Sequence, residues 1–160
     1  MKRSEINGLM RRAVAFLKKE NFLLPPFAFW SPAKWAKVGK EADEIRVCNL
    51  GWDLTDFGSG DFGKTGLILF TIRNGHATHP KYKGKTYCEK VLVVEEEQVT
   101  PMHFHWNKTE DIINRGGGEL VVQLYNATKD DKLAKSDVVV SVDGCVKKVK
   151  AGGKVTLKPG

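Results

Sequence analysis

Apolar residues recur at helical spacing in one segment of this chain. Ile6, Leu9, Met10, Ala13, Phe16 and Leu17 follow the i, i+3, i+4, i+7 pattern and predict an amphipathic helix over Ser4–Asn21, with Ser4 as its cap. Arg11, Arg12, Lys18 and Lys19 cluster on the opposite side, as expected for the solvated face of a packed helix. Pro25, Pro26 and Pro32 end the helical pattern, so Phe22–Trp35 reads as an irregular arm. The arm carries the rings of Phe22, Phe27, Phe29, Trp30 and Trp35, which must lie over a core or a partner subunit. From residue 45 the pattern becomes short runs of Val, Ile and Leu separated by Gly, Asn and Asp. These predict strands at Ile45–Leu50, Leu67–Arg73, Val91–Glu95, Gln98–Phe104, Leu120–Asn126, Val138–Asp143 and Val155–Leu157. Short strands at this spacing predict a sandwich or barrel, and no helices alternate with them to build a doubly wound sheet.

Composition narrows the function classes. A chain of 160 residues is the size of one ordinary domain and can bury a core without disulfide or metal staples. The net charge of +7 resides in residues 1–40, which hold nine Lys or Arg against two Glu. Residues 41–160 hold seventeen of each sign, so the body is neutral and no nucleic-acid partner is expected. No apolar run approaches the ~20 residues of a membrane span, and no signal peptide follows Met1-Lys2-Arg3. Cys48, Cys88 and Cys145 are odd in number and widely spaced, which points to a reducing, cytoplasmic compartment.

Residues 58–65, Gly-Ser-Gly-Asp-Phe-Gly-Lys-Thr, satisfy the phosphate-loop pattern. That chemistry needs a helix starting at Lys64, whose free N–H groups would face the phosphates. A β-branched run, Gly66–Arg73, follows instead, and Asp53 and Asp56 interrupt any buried strand before it. The expectation is a glycine-rich loop leading into a strand. Gly116-Gly-Gly118 likewise reads as a tight turn, and His76 and His79 as exposed loop histidines.

The chain has only four histidines, and two of them stand in Thr100-Pro-Met-His-Phe-His-Trp106. On a strand, His103 and His105 share one face and offer two imidazole nitrogens to one ion. Glu110, after the polar Asn107-Lys108 turn, can return onto that ion from the next strand. Two His and a carboxylate suit Mn²⁺, Fe²⁺ or Zn²⁺ and leave positions for substrate or water.

The string His103-x-His105-x₄-Glu110-x₆-Gly117 resembles the first motif of the cupin superfamily, with Glu97 standing where that motif starts with Gly. Leu24–Pro32, Leu50–Gly58, Val99–Trp106 and Asp111–Gly118 together resemble the bacterial D-lyxose isomerase family over most of the chain. The resemblance implies a mostly β fold, a cupin-type double-stranded β-helix (jelly-roll barrel) with an amino-terminal α-helix, as a single domain over 1–160. Residues 1–40 would form the helix and arm, and 41–160 the barrel. Gly160 would fall at the first glycine of the second cupin motif, so the family's fourth metal ligand and second catalytic glutamate would lie beyond it.

The implied activity is aldose–ketose isomerisation of D-lyxose and D-xylulose, with D-mannose and D-fructose as further substrates. A divalent ion, Mn²⁺ first, would be held by His103, His105 and Glu110. Glu110 would carry the proton between C1 and C2 through an enediol, Lys90 would bind a sugar oxygen, and the enzyme would be a homodimer. The rival readings are another metal-dependent cupin enzyme (an Fe²⁺ dioxygenase or a sugar epimerase), a non-catalytic sugar-binding cupin and a phosphate-loop protein.

Overall fold

The computed structural model describes all residues, 1–160, and is mostly β with one long helix. Helix α1 spans Arg3–Lys19 and buries Leu9, Ala13 and Leu17 while its basic face stays exposed, as the periodicity predicts. Ser4 is not the cap. Lys2 occupies that position, and its backbone N–H donates to the Glu5 carboxylate at 3.3 Å. Two short helices follow, α2 (Pro32–Trp35) and α3 (Asp43–Val47). The seven strands are β1 (Gly51–Thr55), β2 (Leu67–Arg73), β3 (Glu89–Val93), β4 (Leu120–Gln123), β5 (Val138–Val142), β6 (Cys145–Val149) and β7 (Lys154–Leu157).

All strand pairs are antiparallel and fall into three small sheets, β1-β2-β3, β4-β7 and β5-β6. The sheets are consistent with a cupin-like fold, though they do not close into a barrel. The chain forms two compact units, Met1–Pro101 and Met102–Gly160.

In the first unit β2 is the central strand, and Ile68 to Thr71 are buried without interruption. Leu9, Ala13 and Leu17 of α1 form a core with Phe62, Ile68 and Val93. Phe70 is fully buried, and Phe27 and Trp52 lie against it at ring-centroid distances of 5.2 and 5.1 Å. Burying a ring of this kind contributes about 1.5–3 kcal/mol. The indole N–H of Trp52 donates to the carbonyl of Ala28 at 3.1 Å, so the aromatic arm folds back onto its own sheet. Phe29 and Leu23 remain exposed.

Three expectations are corrected. Ile45–Leu50 is not a strand: Asp43–Val47 is helical, with acidic residues in its first turn and Arg46 in its last, and the strand begins at Gly51. The charges complement the helix dipole, and only Ile45, Val47 and Leu50 supplied the β signal. Gln98–Phe104 is also not a strand, apart from a single parallel bridge between Thr65 and Val99. Gln98 turns its side chain inward, accepting from the Glu95 N–H at 3.0 Å and donating to the Phe62 carbonyl. Pro101 then has no N–H for a ladder. The alternation argument for His103 and His105 therefore does not apply, and Glu110 is in no strand.

In the second unit β6 has no counterpart among the expected strands, because Cys145–Val149 holds two lysines and is nearly all exposed. The Asp143-Gly144 turn before it has positive φ at both residues, 52° and 75°. That is the geometry of a two-residue hairpin turn, and Val142 pairs with Cys145 across it. Of the second unit's residues only Val138 is buried. The three cysteines are free, and no helix is long and apolar enough to cross a membrane.

Candidate metal centre

His103, His105 and Glu110 all lie in the second unit, on a segment without regular secondary structure that leaves the first unit at Pro101. The turn before it is set at Glu97, which takes the left-handed backbone (φ 59°) that glycine adopts without strain. Beyond the trio, Asn114 holds the Gly116–Gly118 turn. Its side-chain amide donates to the carbonyls of Gly118 (2.7 Å) and Leu157 (2.8 Å), and its oxygen accepts from the Gly116 N–H. Leu157 ends β7, so the trio's segment is tied to the β4-β7 ladder. This confirms the tight-turn reading of the glycine run.

The segment bends so that the three side chains meet. The imidazoles of His103 and His105 stand edge to face, with centroids 5.1 Å apart. His105 Nε2 lies 3.1 Å from Glu110 Oε2. One ligand atom from each residue lies within 4.8 Å of the others. Two ligands on one ion with bonds of ~2.1 Å stand at most ~4.2 Å apart, so a small contraction fits the set to a single ion. The donors also suit a borderline divalent metal, with two neutral nitrogens and one anionic oxygen. All three are solvent-accessible, which leaves a face open to a ligand.

Lys108 was absent from the expected site, where Asn107-Lys108 read only as a polar turn. Its ammonium pairs with Glu110 Oε1. Partial burial works to raise the Glu110 pKa. The Lys108 hydrogen bond and charge, with smaller Coulombic contributions from His105 and His103, outweigh it and hold the carboxyl below its ordinary value. The signal for Lys108 was its place two residues from a predicted ligand. Lys90 lies in the first unit, exposed on β3 and opposite Thr71.

The other motifs resolve as structure. In the glycine-rich loop the Lys64 N–H donates to Asp61 Oδ1 (3.2 Å), the Thr65 N–H to the Asp61 carbonyl (2.9 Å), and the Ser59 hydroxyl to the carbonyls of Asp61 and Thr65. Its amides at Lys64 and Thr65 are thus used internally, and no helix starts at Lys64. His76 and His79 are half-buried rather than exposed. His76 Nδ1 accepts the backbone N–H groups of Thr78 and His79, and His79 Nδ1 accepts that of Lys81. They cap their own loop.

Comparison with known proteins gives a full-length match. The family described as D-lyxose isomerase matches residues 1–160. The chain is 48% identical to a D-lyxose/D-mannose isomerase of Escherichia coli O157:H7 over 161 aligned residues, covering 100% of this chain and 70% of that protein. It is 47% identical to a D-lyxose/D-mannose isomerase of Serratia proteamaculans, with the same coverage.

Proposed function

We propose that this chain, which belongs to the D-lyxose isomerase family, interconverts D-lyxose and D-xylulose by moving a proton between C1 and C2 of the open-chain sugar at a site built on His103, His105 and Glu110. Family membership carries the reaction class, an aldose–ketose isomerisation. The relatives' names add D-mannose, which is D-lyxose lengthened by one carbon with the same configuration at C2, C3 and C4. A site that reads only C1 to C3 accepts both aldoses, and D-fructose is then the second ketose.

The observation that supports the site best is the convergence of two imidazoles and one carboxylate, with their ligand atoms within 4.8 Å. Held by these residues, a divalent ion such as Mn²⁺ supplies a Lewis acid for the oxygens on C1 and C2. His103 and His105 contribute neutral nitrogen ligands and add no charge of their own. Glu110 contributes an anionic oxygen and, as the carboxylate of the site, takes the proton from one carbon and returns it to the other through an enediol. Base catalysis of this kind contributes about 10²–10⁴-fold.

Solvent labelling tests the proton transfer. D-xylulose turned over in D₂O should yield D-lyxose carrying deuterium at C2, because the carried proton exchanges with solvent while on the carboxylate. D-lyxose carrying only hydrogen passed directly from C1 would mean a hydride shift and would remove the role of Glu110 as base.

A further inference from the structure

We infer that Asn114 is a positioning residue, which ties the chain just after Glu110 to strand β7 and so holds the carboxylate where it meets the two imidazoles. This role rests on the metal reading above and deepens it. It concerns where Glu110 lies, whatever further groups complete the shell of the ion. Between Glu110 and the start of β4 at Leu120 the chain has no regular secondary structure, and it includes three consecutive glycines, Gly116–Gly118. Gly117 takes φ 88°, and glycine has more backbone freedom to lose on folding than any other residue. Left to itself, such a run is a hinge that lets Glu110 swing. The histidine side has its own setting, because Met102, Phe104 and Trp106 line one cavity with Tyr125 and Leu133, beyond β4. The carboxylate therefore needs a separate anchor if it is to stay beside the imidazoles.

Asn114 closes that hinge with every polar atom of its side chain. An asparagine amide has two N–H donors and one acceptor oxygen. The donors go to the carbonyl of Gly118 (2.7 Å), inside the glycine run, and to that of Leu157 (2.8 Å), at the end of β7. The oxygen accepts the Gly116 N–H (3.2 Å), and the backbone carbonyl of Asn114 accepts the N–H of Gly160 (3.1 Å). One side chain thus stiffens the glycines and fastens them to a strand forty-three residues away in sequence. Other short polar side chains cannot do this, because an aspartate only accepts and a serine has one donor.

Mn²⁺ affinity measured beside fold stability tests the role. Gln123 supplies the control, because its Nε2 donates to the Gly152 carbonyl at 2.9 Å and so braces the opposite end of the β4-β7 ladder. The Mn²⁺ dissociation constants of wild type, Asn114→Ala, Asn114→Ser and Gln123→Ala are compared at a temperature where circular dichroism shows each metal-free protein folded. Asn114→Ala should bind Mn²⁺ about 10-fold more weakly, the lower end of the range for residues that orient ligands. Asn114→Ser keeps one donor and should fall between that variant and wild type. If the alanine variant does not fold, the serine variant carries the comparison. Gln123→Ala should match wild type in affinity even where it lowers the thermal midpoint. Wild-type affinity in the folded Asn114 variants, or an equal loss in Gln123→Ala, would overturn the positioning role and leave the metal site standing. Failure of the wild-type chain to bind Mn²⁺ would overturn the metal reading, and this role with it.

Discussion

Replacing His103 or His105 by alanine will strip the divalent ion from the protein and abolish nearly all isomerase activity. The proposed site draws His103, His105 and Glu110 from one short segment, and their candidate ligand atoms converge within 4.8 Å. Loss of a residue that merely orients a ligand already costs about 10–100-fold in metal affinity or activity, so loss of a ligand itself should cost ~100-fold or more. Folding should be little affected, because both imidazoles are solvent-accessible and the core of the first unit lies in α1 and β1–β3. The check is metal content of the purified variants beside their circular dichroism. Unchanged metal with an unchanged fold would refute the ligand assignment.

The second large effect is expected from Glu110→Gln, which separates holding the ion from moving the proton. Glutamine keeps an oxygen ligand of the same reach but removes the negative charge and the proton-accepting lone pair. Activity at saturating Mn²⁺ should fall by about 10²–10⁴-fold, the usual contribution of a positioned base. Affinity for Mn²⁺ should fall less, by about 10–100-fold. The two losses are read separately by titrating Mn²⁺ binding and by measuring turnover at saturation. Equal losses would make Glu110 a ligand only.

The parts of this molecule that were legible in its sequence are those decided by local physics. The 3.6-residue apolar stripe from Ile6 to Leu17 gave α1 to within two residues at each end, and the β-branched run Leu67–Arg73 is β2. The phosphate-loop pattern is not a phosphate loop, because Leu67–Arg73 is a strand where the required helix would be. Cases that depend on competition between local and distant contacts were not legible. Gln98 looked like the start of a strand, but its side chain leaves the alternating pattern to bond the carbonyl of Phe62, thirty-six residues away in sequence. Strand β6 was hidden because its exposed lysines carry no burial signal, although the Asp143-Gly144 turn marked its start.

The candidate site shows both behaviours at once. His103, His105 and Glu110 were selected from residue type and spacing, and they do converge. Side-chain alternation on a strand is not what brings them together: the segment is irregular and bends. Lys108 escaped notice because a lysine in a polar turn looks like any solvated charge until its partner is placed.

An ion held by this trio is proposed to be needed for isomerisation. Protein stripped with a chelator and then titrated with Mn²⁺ tests it, with bound ion and conversion of D-lyxose to D-xylulose followed in the same samples. The expected result is no conversion by the stripped protein and a rate that rises in proportion to bound Mn²⁺, saturating at a single ion per chain. Conversion at the full rate by protein shown to be free of metal would contradict it.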